Sequence, residues 1–171
     1  MGGIEDEDVE NTIKKYWMLF GVAAMVVILD QVVKLLVVDK IPAYGSIVVI
    51  PGFFDLTHIY NTGGAFGFLA GKSSLFRHLF FLTASVIAMG MIVYLYLKTP
   101  RDYLFLRSGL TMILGGAVGN VIDRIRLGKV VDFIDLHIND LHWPAFNIAD
   151  SAISVGILIF VYHLIFKKIP E

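Results

Sequence analysis

Asp30, Lys34, Asn120, Asp123, Arg124, Asp132, Asn147 and Asp150 all lie in or at the ends of long apolar runs. A charged side chain near hydrocarbon costs about 2.5 to 3.5 kcal/mol, so such a residue marks a functional site by default. The chemistry open to these types is acid–base. Two close carboxylates resist double ionisation, so one keeps a proton and acts as acid while the other activates water against a carbonyl, and the two titrate as a pair. Other chemistries lack their residues. The absence of Cys excludes thiol catalysis, thiolate metal ligation and disulfides. No His-Glu-x-x-His helix, Gly-x-Ser-x-Gly elbow or Walker loop occurs. His58, His78, His137, His142 and His163 are scattered without ligand spacing, so neither a metal nor a cofactor is expected. Ser154 and His163 lie nine residues apart on one apolar run. That is about 13 Å along a helix, too far for a hydrogen bond.

The spacing groups these residues. Asn120, Asp123 and Arg124 fall three and four apart on one helical face, where amide, carboxylate and guanidinium can converge. The plain alternative is an interfacial end in which Arg124 snorkels and Asp123 neutralises Arg124 or Arg126. Asn147 followed by Asp150 reads as an N-cap with a capping-box partner, and it also puts Asp150 beside the positive end of a helix dipole, where a general base is well placed. Asp132 sits within Val130-Val131-Asp132-Phe133-Ile134, so strand alternation turns it away from Val131 and Phe133. Asp30 and Lys34 stand acid-first at i,i+4, the favourable order for a helical ion pair. A buried pair of this kind orders polar groups more than it stabilises a fold. Asp55, Asp135 and Asp140 lie among turn formers and are expected in loops.

The elements that must position these groups are membrane spans. Of 171 residues, 57% are hydrophobic and 17% charged, with a mean hydropathy of +0.74. That composition belongs to a polytopic membrane protein. A span needs about 20 apolar residues to cross roughly 30 Å of hydrocarbon. Four stretches qualify, at 16–38, 75–97, 103–123 and 148–166, in a single membrane domain over 1–171. The first is too long and too polar at Asp30 and Lys34 for a cleaved signal peptide. Lys98 to Asp102 is a tight turn, so spans two and three form a hairpin. The loops 39–74 and 124–147 share the opposite face, and Ile47–Ile50, Phe53–Tyr60 and Val130–Ile138 within them read as strands of a small β-layer on the membrane. The segment Asn61-Thr62-Gly63-Gly64-Ala65-Phe66-Gly67 is either a loop re-entering span two or a lid over a cavity. Gly115, Gly116 and Gly119 let helices approach closely or clear room for a substrate backbone.

Basic residues divide seven against seven between the two faces. Setting aside Lys34 and Arg124 as site residues tilts the count toward cytoplasmic termini. The acidic head at 1–15 is expected to be a solvated tail. A net charge of -1 gives no reason to expect nucleic acid.

Five motifs together resemble, in order and spacing, the lipoprotein signal peptidase (signal peptidase II) family: Asp30-Gln-Val-Val-Lys34, Asn61-Thr-Gly-Gly-Ala-Phe66, Gly115-Gly-Ala-Val-Gly-Asn120-Val-Ile-Asp123-Arg124, Val131-Asp132-Phe133 and Phe146-Asn147-Ile148-Ala149-Asp150. The resemblance implies four transmembrane helices with a periplasmic β-cradle, a short lid helix and cytoplasmic termini, in the bacterial inner membrane. It implies cleavage of the signal peptide of diacylglyceryl-modified prolipoproteins just before the lipidated cysteine, by a monomer in contact with membrane lipid and inhibited by globomycin. Carried onto this chain, the catalytic pair falls on Asp132 and Asp150. Asn61, Asn120, Asp123, Arg124 and Asn147 support it, with Asp30 and Lys34 beneath. Asp123 is also a credible partner for Asp150. Asp132 is preferred because Asp123, beside Arg124, is placed for structural pairing, which would hold it ionised. The acidic head matches no motif of the family, and Gly64 adds flexibility beside the lid.

Two rival classes are weighed. A proton- or cation-coupled transporter, with Asp30, Lys34, Asp123 and Asp150 as a relay, should show repeat symmetry or matched broken helices, and the chain shows neither. A non-catalytic lipoprotein-binding subunit would need a groove but not two acids.

Overall fold

The computed structural model describes residues 2–63, 69 and 73–166, with side chains from Tyr16 onward. The elements run α1 Gly2–Lys40, β1 Ser46–Ile50, β2 Phe54–Asn61, α2 Ser74–Lys98, α3 Leu104–Leu127, β3 Val130–Ile138, β4 Leu141–His142 and α4 Ile148–Phe166. Each helix contains a stretch long and apolar enough to cross a membrane. The stretch on α1 begins at Tyr16. The helical backbone itself reaches back to Gly2, through the acidic head. The expected lid helix, with Gly64, Gly67 and Gly71, lies outside the described residues.

Local chemistry sets the helix ends. Ser73 caps α2 by accepting the Phe76 N–H at 3.3 Å. The helix stops at Lys98 because Thr99 precedes Pro100 and is held extended, at ψ 123°. α3 continues one turn past the expected end at Asp123, to Gly128, whose φ of 69° suits a left-handed cap that donates to the Arg124 carbonyl at 2.9 Å.

α3 is the hub, packing on α1, α2 and α4. Glycines permit this closeness. A Cβ on Gly115 would stand 3.0 Å from the Ala23 carbonyl oxygen on α1, and one on Gly116 would fall on the Ala149 carbonyl oxygen of α4. One on Gly119 would press on Asp30 Oδ2 at 2.8 Å. The glycines therefore serve helix packing and the seating of a carboxylate. α2, by contrast, keeps Leu75, Leu79, Ile87 and Met91 exposed, a face suited to lipid.

The strands form one antiparallel sheet in the order β1-β2-β3-β4. Asp132 pairs with Ile59 and Val130 with Asn61. An irregularity between Leu56 and Ile59 shifts the register and buries Thr57 and His58. Val131 and Phe133 pack with Val37 of α1 and with Ile41, just past its end, into a core beneath the sheet. Asp55 and Asp135 sit directly across from each other on β2 and β3, not in turns as expected; of the three acids only Asp140 is in one. His142 Nδ1 lies 2.9 Å from Asp135 Oδ1.

Candidate active site

The i,i+4 spacing on α1 places Lys34 Nζ 2.8 Å from Asp30 Oδ2. The same ammonium lies 2.8 Å from Asp123 Oδ2 and donates to Asn120 Oδ1 at 3.1 Å. All four residues are buried. Asp30 Oδ1 accepts the Ala149 N–H at 2.9 Å, one of the first-turn donors that α4 leaves without an intrahelical partner. Asp123 is equally occupied, with Oδ1 accepting from Gln31 Nε2 at 2.9 Å and Oδ2 from the Val131 N–H at 3.1 Å. Asp30 and Asp123 are thus the two anions of a three-charge cluster that ties α1, α3, α4 and β3 together.

Asp132 and Asp150 are held differently. Among the described residues neither has a cation within ion-pair distance. Asp132 Oδ1 accepts from Asn147 Nδ2 at 2.7 Å and its Oδ2 from Asn61 Nδ2 at 3.0 Å. Asn61 reaches it because it lies diagonally across the β2–β3 ladder on the same face. Asp150 Oδ1 accepts from Asn120 Nδ2 at 2.7 Å. Asp150 and Asn147 also form a reciprocal capping box, with the Asp150 N–H donating to Asn147 Oδ1 at 2.9 Å and the Asn147 N–H to Asp150 Oδ2 at 3.3 Å. Asn147 touches both acids and is completely buried, so the capping reading and the functional reading of this residue are both true.

Burial pushes the Asp132 carboxyl up to about 7, with the negative charge of Asp150 adding to the rise and the amides of Asn61 and Asn147 opposing it. Asp132 is 2% exposed, whereas Asp150 is half-buried. A proton-holding carboxyl beside a second carboxyl, joined through shared amides, can carry out acid–base chemistry on a polar bond presented from the open side.

The expected meeting of Asn120, Asp123 and Arg124 occurs in part. Asn120 and Asp123 meet at Lys34, so Asp123 pairs with Lys34 and not with Arg124. Arg124 donates back to the Asn120 carbonyl at 3.3 Å and lies 5.4 Å from the centre of the Phe81 ring. Its guanidinium stays within electrostatic range of Asp150, Asp132 and Asp123. Gln31, inside the Asp30-Gln-Val-Val-Lys34 motif, joins the site although neither residue type nor spacing singles it out. Its only signal in the sequence is an amide beside Asp30 in a span whose other polar groups belong to the site.

The family model described as signal peptidase (SPase) II matches residues 22–166, a stretch that contains every polar residue of this site. The chain belongs to the signal peptidase II family. It is 51% identical over 150 residues to a lipoprotein signal peptidase of Desulforapulum autotrophicum, covering 88% of this chain and 93% of that one. To a lipoprotein signal peptidase of Syntrophus aciditrophicus it is 47% identical, covering 91% and 97%. Two solved structures, both described as a bacterial membrane enzyme studied by the in meso method, superpose with TM-scores of 0.77 and 0.76 at 36% identity. They cover 85% and 86% of this chain, and 86% and 92% of their own lengths. This signal peptidase II chain is therefore a multi-pass bacterial membrane protein and a peptidase, and the amide-linked acids lie within the matched region.

Proposed function

We propose that the protein is a membrane aspartic endopeptidase that removes the signal peptide from diacylglyceryl-modified prolipoproteins by cleaving just before the lipidated cysteine, with Asp132 and Asp150 as the catalytic pair. The observation that carries the assignment is the division among the acids. Lys34 forms ion pairs with both Asp30 and Asp123, while Asp132 and Asp150 are held by amides and backbone N–H groups alone. The family's relatives, named lipoprotein signal peptidases, supply the substrate class.

In this reading Asp132 holds the proton and Asp150 is the base. Asp150 takes a proton from water as the water oxygen adds to the scissile carbonyl carbon, and Asp132 gives its proton to the carbonyl oxygen. Breakdown of the tetrahedral intermediate returns the carbonyl oxygen's proton to Asp132. The proton on Asp150 goes to the leaving amine, so the pair ends as it began. Asn61, Asn120 and Asn147 fix both carboxyls without adding charge, and Arg124 balances the negative charge of the pair at longer range. Asp30 and Lys34 hold the ends of α3 and α4 in register. The membrane placement that goes with this reading is a monomer in the inner membrane, termini in the cytoplasm and the sheet on the periplasmic side, with globomycin as an inhibitor and membrane lipid around the site.

Processing of a purified lipidated prolipoprotein in detergent tests the pair. Asp132→Asn and Asp150→Asn are expected to abolish cleavage, and Asp123→Asn to keep a residual rate, with folding checked by globomycin binding. Cleavage by Asp132→Asn would move the pair to Asp123 and Asp150. An inactive wild type would end the enzyme reading for this substrate class.

A further inference from the structure

Gln31 lies next to Asp30 on α1, on the face that meets α3. Its Nε2 is 2.9 Å from Asp123 Oδ1, 3.2 Å from the Gly119 carbonyl oxygen and 3.2 Å from Asp30 Oδ2, so it faces only acceptors. Its Oε1 faces a donor, Arg126 Nη1, at 3.4 Å. That division fixes the orientation of the amide. Turned over, its oxygen would stand against two carboxylates and its NH2 against a guanidinium. The Asp123 carboxylate that Gln31 holds has its other oxygen on Lys34 and on the Val131 N–H, at 2.8 and 3.1 Å. Val131 immediately precedes Asp132. A rotation of the Asp123 carboxylate would therefore release the Val131 N–H, one residue before Asp132.

We infer that Gln31 is a positioning residue for the reaction: its amide locks the Asp123 carboxylate, and through the Val131 N–H that carboxylate sets the strand that carries Asp132. The inference rests on Asp132 being one of the catalytic pair. Gln31 touches neither Asp132 nor the space beside it, so its loss acts on geometry and not on substrate affinity.

The experiment measures kcat and KM on a lipidated prolipoprotein for the wild type, Gln31→Leu, Asp123→Asn and the double variant. Gln31→Leu is expected to lower kcat about 10- to 100-fold, the cost of misplacing a reacting group by about an ångström, with KM held within about twofold. If Gln31 works through Asp123, adding Gln31→Leu to Asp123→Asn costs little more. An unchanged kcat, a loss confined to KM, or the same fold-loss in both backgrounds overturns the inference. Where one of these variants gives no measurable rate, the near-isosteric Gln31→Glu decides. As an anion it repels Asp30 and Asp123, and once protonated it regains an O–H donor, so its rate relative to wild type should rise as pH falls. A flat ratio would refute the positioning role. Asp132→Asn and Asp150→Asn are run alongside. If they cleave, the catalytic pair itself is wrong and this inference falls with it, whereas dead pair variants with an unaffected Gln31→Leu sink the positioning role alone.

Discussion

At the scale of single residues the site separates acids by their partners. Asp132, with its carboxyl lifted to about 7, has consequences for stability as well as rate. The folded state binds this proton more tightly than the unfolded chain does, whose carboxyl keeps the ordinary 3.8. Between those two values the folded state carries the extra proton, so stability falls as pH rises through the window, by up to about 4 kcal/mol once Asp132 is ionised. Asp132→Asn does not titrate and escapes this loss. Its thermal midpoint relative to wild type should therefore climb between about pH 4 and about pH 8. A midpoint difference that stays level would show that Asp132 is not held protonated. In the wild type, kcat/KM should decline on the alkaline side with an apparent pKa near the Asp132 value, a property of the pair and not of one acid. Lys34 marks the opposite case. Lys34→Met leaves Asp30 and Asp123 buried without a cation, at a cost of about 3 to 5 kcal/mol. Loss of a monodisperse, detergent-stable species on size exclusion would register it.

At the scale of elements, α3 acts through what its glycines allow. A Cβ at Gly116 meets the Ala149 backbone and stands 2.7 Å from Ile153 Cγ1, so α4 must shift to admit it. Gly116→Ala is expected to cost about 1 to 3 kcal/mol as an overpacked contact. Because Ala149 precedes Asp150, it should also depress the cleavage rate. Gly90 on α2 has nothing within 4 Å of an added Cβ. Gly90→Ala should leave cleavage unchanged and raise stability by up to about 1 kcal/mol through helix propensity. Comparing the melting temperatures and rates of the two variants checks both statements. The sheet behaves likewise: Asn61 reaches Asp132 only because β2 and β3 pair in the register that sets Ile59 opposite Asp132, and a one-residue slip would turn the acid to the other face.

At the scale of the whole molecule, four helices return the chain to the face it started from, and the sheet and acids gather at one end. The absence of cysteine makes every introduced thiol a unique label. With a cytoplasmic-termini topology, Tyr44→Cys, on the exposed turn before β1, should react with an impermeant maleimide in intact spheroplasts. Asp102→Cys, on the exposed turn between α2 and α3, should react only after permeabilisation. The reverse pattern would invert the proposed orientation.

Sequence by itself determined the solvent, the four apolar helices and the two sets of strands, because apolar length and alternation are local properties. It also gave the capping box at Asn147 and Asp150 and the Asp30–Lys34 pair, whose i,i+3 and i,i+4 spacings bring side chains together on any helix. The tertiary structure decided what depends on contacts between distant segments. Asp123 was expected to pair with its neighbour Arg124, but adjacent residues on a helix point apart, and the crossing of α1 over α3 delivers Lys34 to it instead. Gln31 acts as a clamp only where α1 meets α3, since its acceptors on Gly119 and Asp123 lie 88 and 92 residues away along the chain. The linking of Asp132 and Asp150 through Asn147 likewise needs β3 and the start of α4 to close on one another, and no spacing along the chain encodes that closure.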